Sequence, residues 1–154
     1  MQTSYTLYNT ELQLGHIHDT SLRQIDSYLA QGAVGIGVGV VLGTDPARQV
    51  VQAGTGAGQG ALIMGISVLS QSVEQTSAGL VQYADKESAP IMKKGRVVVT
   101  TNDAVVAGAV ANFVLANGTF TDAAVATGIE ALVLISAKFV TATSAAGLAV
   151  IEIK

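Results

Sequence analysis

The residues able to do chemistry are few in this chain and stand apart from one another. His16 and His18 would share one face of an extended segment, with Glu11 and Asp19 as possible oxygen ligands. A zinc centre takes three or four ligands, however, and the chain has two histidines and no cysteine, so the pair reads as a surface or interface feature and no metal is predicted. The histidines, Asp19 and Ser21 supply the residue types of a Ser-His-Asp triad, yet no G-x-S-x-G elbow accompanies them. Asp85 and Glu87 flank Lys86 in the tightest carboxylate cluster, which on a loop reads as solvated charge before it reads as a general acid and base. Lys93, Lys94 and Arg96 form the one basic group; it suits a turn or an acidic protein surface better than a phosphate. Gly35, Gly37 and Gly39, and the tract from Gly54 to Gly60, do not complete G-x-G-x-x-G or lead from a strand into a helix, so no nucleotide cofactor is predicted. No enzyme activity follows from this set.

Composition agrees with a chain that works through its surface. Its 154 residues suit one domain. Charged residues make up 12%, about half of the roughly 25% usual for soluble chains, while hydrophobic residues reach 49%. A net charge of -3 with scattered cations lacks the basic stripe that nucleic-acid binding requires. Without cysteine there is no disulfide framework or thiol chemistry. The opening residues lack the cationic and apolar regions of a secretory signal, and the longest uncharged stretches are too polar or too short for a bilayer core of about 30 Å, so neither export nor membrane insertion is expected.

The elements that must carry this surface are mostly strands, because short Val-rich runs alternate with Gly, Asn, Asp and Ser. Strands are predicted at Val34–Leu42, Gln49–Gln52, Ala61–Leu69, Leu80–Tyr83, Ala89–Lys93, Arg96–Thr100, Val110–Leu115, Ala131–Phe139 and Leu148–Ile153. Asn117-Gly118 signals a hairpin leading into Thr119-Phe120, and Lys94-Gly95 a second turn. Leu22, Ile25 and Leu29 have the spacing of a short helix that Asp19 or Thr20 would cap and Gly32 would stop, and Asp122–Thr127 has a weaker helical pattern. The fold class is all-β: a compact, jelly-roll-like sandwich or barrel over residues 31–154, preceded by an extended N-terminal arm at 1–30 with at most short helices.

Two features point to contacts with other proteins. The arm is polar and holds Tyr5, Tyr8 and Tyr28, aromatic residues suited to anchoring an interface. Gly35, Gly37 and Gly39 occupy alternate positions with aliphatic residues between them, which on one strand makes a face without side chains. Such a face must lie against another packed surface, across the core or at a subunit contact. The tract from Gly54 to Gly60 reads as a flexible loop.

The second half of the chain resembles a known family. The run Pro90-Ile-Met-Lys-Lys-Gly-Arg-Val-Val-Val99, then Asp103-Ala-Val-Val-Ala-Gly108, Asn117-Gly-Thr-Phe120 and the closing Ala146-Gly-Leu-Ala-Val-Ile-Glu-Ile153 resembles, in that order, the structural cement or head decoration proteins of tailed bacteriophages. Gln31-Gly-Ala-Val34, Val40–Asp45 and Val50-Val51 are similar to the family's entry into its β core, so the resemblance spans roughly residues 30 to 154. The first thirty residues and the Gly-Gln loop match no family motif. The resemblance implies a non-catalytic virion protein on the outer surface of an icosahedral head, made in the host bacterial cytoplasm. Its partners would be the major capsid protein and itself, as a homotrimer or alternatively a dimer, with no direct nucleic-acid or membrane contact. A small carbohydrate- or ligand-binding β module is the alternative, weakened by the lack of tryptophan and by only three phenylalanines and four tyrosines.

Overall fold

A computed structural model describes residues 12–19, 22–54, 56, 58–70 and 81–154. In chain order the elements are β1 (Gln24–Ala30), β2 (Val34–Gly35), β3 (Gly39–Leu42), β4 (Gln49–Gln52), the single-turn helix α1 (Gln59–Leu62), β5 (Gly65–Ser67), β6 (Gln82–Tyr83), β7 (Ser88–Thr100), β8 (Asn112–Val114), β9 (Thr119–Thr121), β10 (Ile129–Ala131), β11 (Ala137–Phe139) and β12 (Leu148–Ile153). β1 pairs with β4 on one side and β7 on the other, so the circuit β1-β4-β3-β5-β7 closes on itself as a five-stranded barrel. Closure satisfies the backbone groups that an open edge would expose. β12 and β11 extend the sheet beyond β7, and β10-β8-β9 form a second, three-stranded sheet.

β7 connects the two parts. Its first half pairs with β1 and β5, its second half with β12. The predicted turn at Lys94-Gly95 is instead a bulge within this one strand: Gln24 pairs with Lys94 and Ile25 with Met92, leaving Lys93 without a partner across. An extra residue reverses which side chains face which way. Ile91 accordingly packs with Ala30, Val40, Val50 and Ala89 among the barrel strands. Beyond the bulge, Val97 and Val99 join Met92, Phe113, Phe120, Phe139 and Ile151 in the larger core. Phe113 and Phe120 meet edge to face, with ring centroids 5.8 Å apart.

Several sequence expectations need correction. The segment with helical spacing at Leu22, Ile25 and Leu29 forms β1, because β4 and β7 offer it main-chain partners on both edges. Residues 24–30, assigned by sequence to the arm, thus complete the barrel, and residues 15–18 are also docked: Gly15 N–H donates to Val98, Val98 N–H to His16 and His18 N–H to Arg96. Val34–Leu42 breaks into β2 and β3 because Gly37 takes a φ of +68°. Ser67 holds that break: its Oγ donates to the Gly35 carbonyl at 2.7 Å and accepts from Val38 N–H at 3.2 Å. Ala61–Leu69 begins as helix, Ala131–Phe139 divides into β10 and β11, and Asp122–Thr127 is not helical. β4, β8, β9 and β12 lie where the sequence places strands.

Candidate functional site

The residues singled out for chemistry serve structure. His16 and His18 are exposed on either side of Ile17, which bridges to Val97. Asp19 forms an ion pair with Arg96 at 3.3 Å. Among the described residues no three His, Cys, Asp or Glu side chains come together as a metal site, and Glu11 and Ser21 lie outside those residues. Asp85 accepts from Gly32 N–H at 2.8 Å and Glu87 from Ala84 N–H at 2.7 Å, around a turn where Lys86 has a φ of +66°. That trio tightens the entry into β7.

The predicted interface residues have separate settings. Tyr5 and Tyr8 lie outside the described residues. Tyr28 is half-buried on β1, and Lys93 Nζ donates to its hydroxyl at 2.6 Å while pairing with Asp26 at 2.7 Å. The Asp26 hydrogen bond is the main cause holding the Lys93 ammonium above its ordinary pKa, and the same bond holds the Asp26 carboxyl below its own. Gly37 and Gly39 are buried within the protomer, and a Cβ would meet Leu14 at 2.5 Å in the first case and Ile63 at 2.6 Å in the second. Gly35 is half-buried and donates its N–H to Gln52 Oε1 at 2.9 Å. Of the two surfaces the sequence left open, the structure supplies the one inside the chain for Gly37 and Gly39.

A different surface stands out. Residues 101–147, the loops and strands around the small sheet, contain four charged side chains: Asp103, Asp122, Glu130 and Lys138. Its three carboxylates already accept hydrogen bonds: Asp103 from the Thr121 hydroxyl, Asp122 from Val106 N–H, and Glu130 from Gly58 and Gly60 N–H at 2.5 and 2.6 Å. The same stretch exposes Val106 at 66%, Val133 at 70% and Leu134 at 61%, with Val110 and Val125 also exposed. Large aliphatic side chains held in water beside few unmet charges form a surface that loses little on desolvation.

The whole chain, residues 1–154, matches the model of the family described as "Structural cement protein (E217 gp24/Pam3 gp6)". The chain belongs to this family. It is a structural, capsid-stabilising protein of the phage virion. Among solved structures, a chain of "The capsid of Myoviridae Phage XM1" shares the fold with a TM-score of 0.71 at 17% identity, covering 99% of this chain and 96% of that one. No match was found among curated proteins.

For a cement protein the informative residues are those that shape a contact surface. Low overall charge is plain from composition, but its uneven distribution along the chain is not. The scarcity of charge at 101–147 is visible in the sequence, whereas the exposure of Val133 and Leu134 depends on the break between β10 and β11, which the aliphatic run Ala131–Ile135 conceals. Glu130 was missed as well. Its carboxylate holds the Gly58 and Gly60 N–H groups at the end of the Gly-Gln tract, and Gly60 permits this because a Cβ there would lie 2.5 Å from Glu130 Cβ.

Proposed function

We propose that this protein binds the outer surface of an assembled phage head through the major capsid protein, as a homotrimer, and stabilises the shell without catalysis. The whole-chain family match carries this reading. The sparsely charged end at 101–147 is its attachment face: burying a valine or leucine side chain contributes about 1.5–3 kcal/mol, and few charges there must shed water. Tyr5, Tyr8 and Tyr28 add anchoring contacts from the N-terminal side. Repetition over many symmetry-related positions turns modest contacts into a rigid shell.

The test mixes purified protein with undecorated heads. The protein is expected to co-sediment with the heads and to raise the temperature at which they release DNA. Absence of both effects overturns the reading. A particle reconstruction with copies confined to twofold axes replaces the trimer with a dimer.

A further inference from the structure

The basic group at Lys93, Lys94 and Arg96 is not absorbed by the attachment face, and its surroundings have a definite character. Behind the bulge in β7 an open cleft of about 380 Å³ is lined by Leu22, Lys94, Gly95, Arg96, Glu152, Ile153 and Lys154. Arg96 is committed: it bonds Glu152 Oε1 through Nε at 3.1 Å and Nη2 at 3.0 Å, and pairs with Asp19 through Nη1. That network takes up the one carboxylate side chain in the lining. Lys94 and Lys154 are exposed and take part in no ion pair among the described residues, so the cleft presents two lysine ammonium groups on a chain whose net charge is -3. Lys154 is held in place because its N–H donates to the Ser136 carbonyl at 2.9 Å. Leu22 stands at the rim with 85% of its surface in water.

The geometry points to this cleft as the docking site for an acidic segment of the shell protein, one that carries carboxylates to Lys94 and Lys154 and an apolar side chain to Leu22. This inference rests on the shell attachment proposed above. Charge complementarity selects the occupant. Two lysines beside an exposed leucine fit a short acidic peptide with an apolar residue, whereas a nucleic acid would require a longer basic track. The site is also continuous with the attachment face, since Ser136, which anchors Lys154, follows Val133 and Leu134 in the same loop. A segment lying across that face is led into the cleft.

The experiment compares the full-length protein with the variants Lys94→Glu plus Lys154→Glu, Leu22→Ser, and Lys86→Glu as a single charge-reversal control in the turn before β7. Binding to undecorated heads is measured by sedimentation at 50 and 300 mM NaCl, and thermal melts of the free proteins check folding. The double variant is expected to bind at least tenfold more weakly than the parent at 50 mM salt and to lose most of the parent's salt dependence. Leu22→Ser should bind several-fold more weakly, with Lys86→Glu unchanged. A readout that needs no variant is acetylation of the parent: on decorated heads Lys94 and Lys154 should be protected relative to free protein while Lys86 is not. Equal binding and salt dependence in parent and double variant, or full labelling of both lysines on the heads, overturns the cleft while leaving shell attachment intact. Displacement of the parent from heads by a 20-base-pair DNA duplex overturns the protein occupant in favour of a nucleic acid. Failure of the parent itself to bind heads overturns attachment and the cleft together.

Discussion

At the scale of single residues, close approach decides more here than polar chemistry does. Gly37 combines a left-handed φ with a backbone that Leu14 and the Val98 carbonyl crowd to 2.5 and 3.1 Å of where a Cβ would sit. Gly37→Val should therefore lower stability by about 1–3 kcal/mol, although valine is the better strand former. Chemical denaturation of the free protein checks this, and a variant as stable as the parent would show that the Leu14 segment yields without loss. The Asp26–Lys93 pair sets a smaller, pH-dependent contribution, because both side chains are partly in water. Asp26 has its pKa lowered in the fold, so its share is present above the ordinary carboxyl value of about 4 and is lost as pH falls through the folded value. Lys93 has its pKa raised, so its share is complete below about 10.4 and is lost as pH rises through the folded value. The melting temperatures of the parent and Asp26→Asn should differ by a constant amount from pH 5 to 9 and converge below pH 4. A difference that persists at pH 2 would assign the effect to packing.

At the scale of elements, what was legible in the sequence depended on whether a segment's own pattern or its neighbours decided its form. β8, β9 and β12 were legible because Asn117-Gly118 and the closing Val-Ile run carry local signals. β1 was not: the spacing of Leu22, Ile25 and Leu29 favours a helix, and only the ladders to β4 and β7, both distant in sequence, make it a strand. The Gly35–Gly39 alternation was visible, but its meaning depended on Ser67, which no local pattern connects to it. Of the candidate site, the low charge and the basic group were legible, and the exposed loop and cleft were not, because both arise where long-range pairing ends. The role of β1 gives a clear expectation for truncation. Removing residues 1–11 should preserve cooperative unfolding, whereas removing 1–30 deletes the strand that closes the barrel and exposes the edges of β4 and β7. The longer truncation should lose its sharp thermal transition, as followed by circular dichroism. A cooperative transition in the protein lacking 1–30 would mean that β3, β4, β5 and β7 suffice as an open sheet.

At the scale of the whole molecule, charge and apolar exposure are separated along the chain. The barrel strands and their turns carry most of the ionisable side chains, while 101–147 carries four. Because the carboxylates in that stretch already accept some hydrogen bonds within the protomer, docking it against a shell strips them of fewer water bonds than fully solvated carboxylates would lose. Its free energy of attachment must then come from aliphatic burial, with Val133 and Leu134 the most exposed pair of neighbours available. Replacing both by serine keeps the loop polar enough to stay solvated and removes nothing from either core, so the free protein should melt within a few degrees of the parent. On heads the same change should raise the concentration for half-saturation by about tenfold or more, since each buried aliphatic side chain contributes about 1.5–3 kcal/mol and 1.4 kcal/mol is already a factor of ten. The loss should differ in kind from that of the cleft variants: apolar contacts depend weakly on salt, so the serine variant should weaken binding equally at 50 and 300 mM NaCl. Saturation of heads at the parent's concentration would place this end of the molecule in solvent and move the attachment face to the barrel.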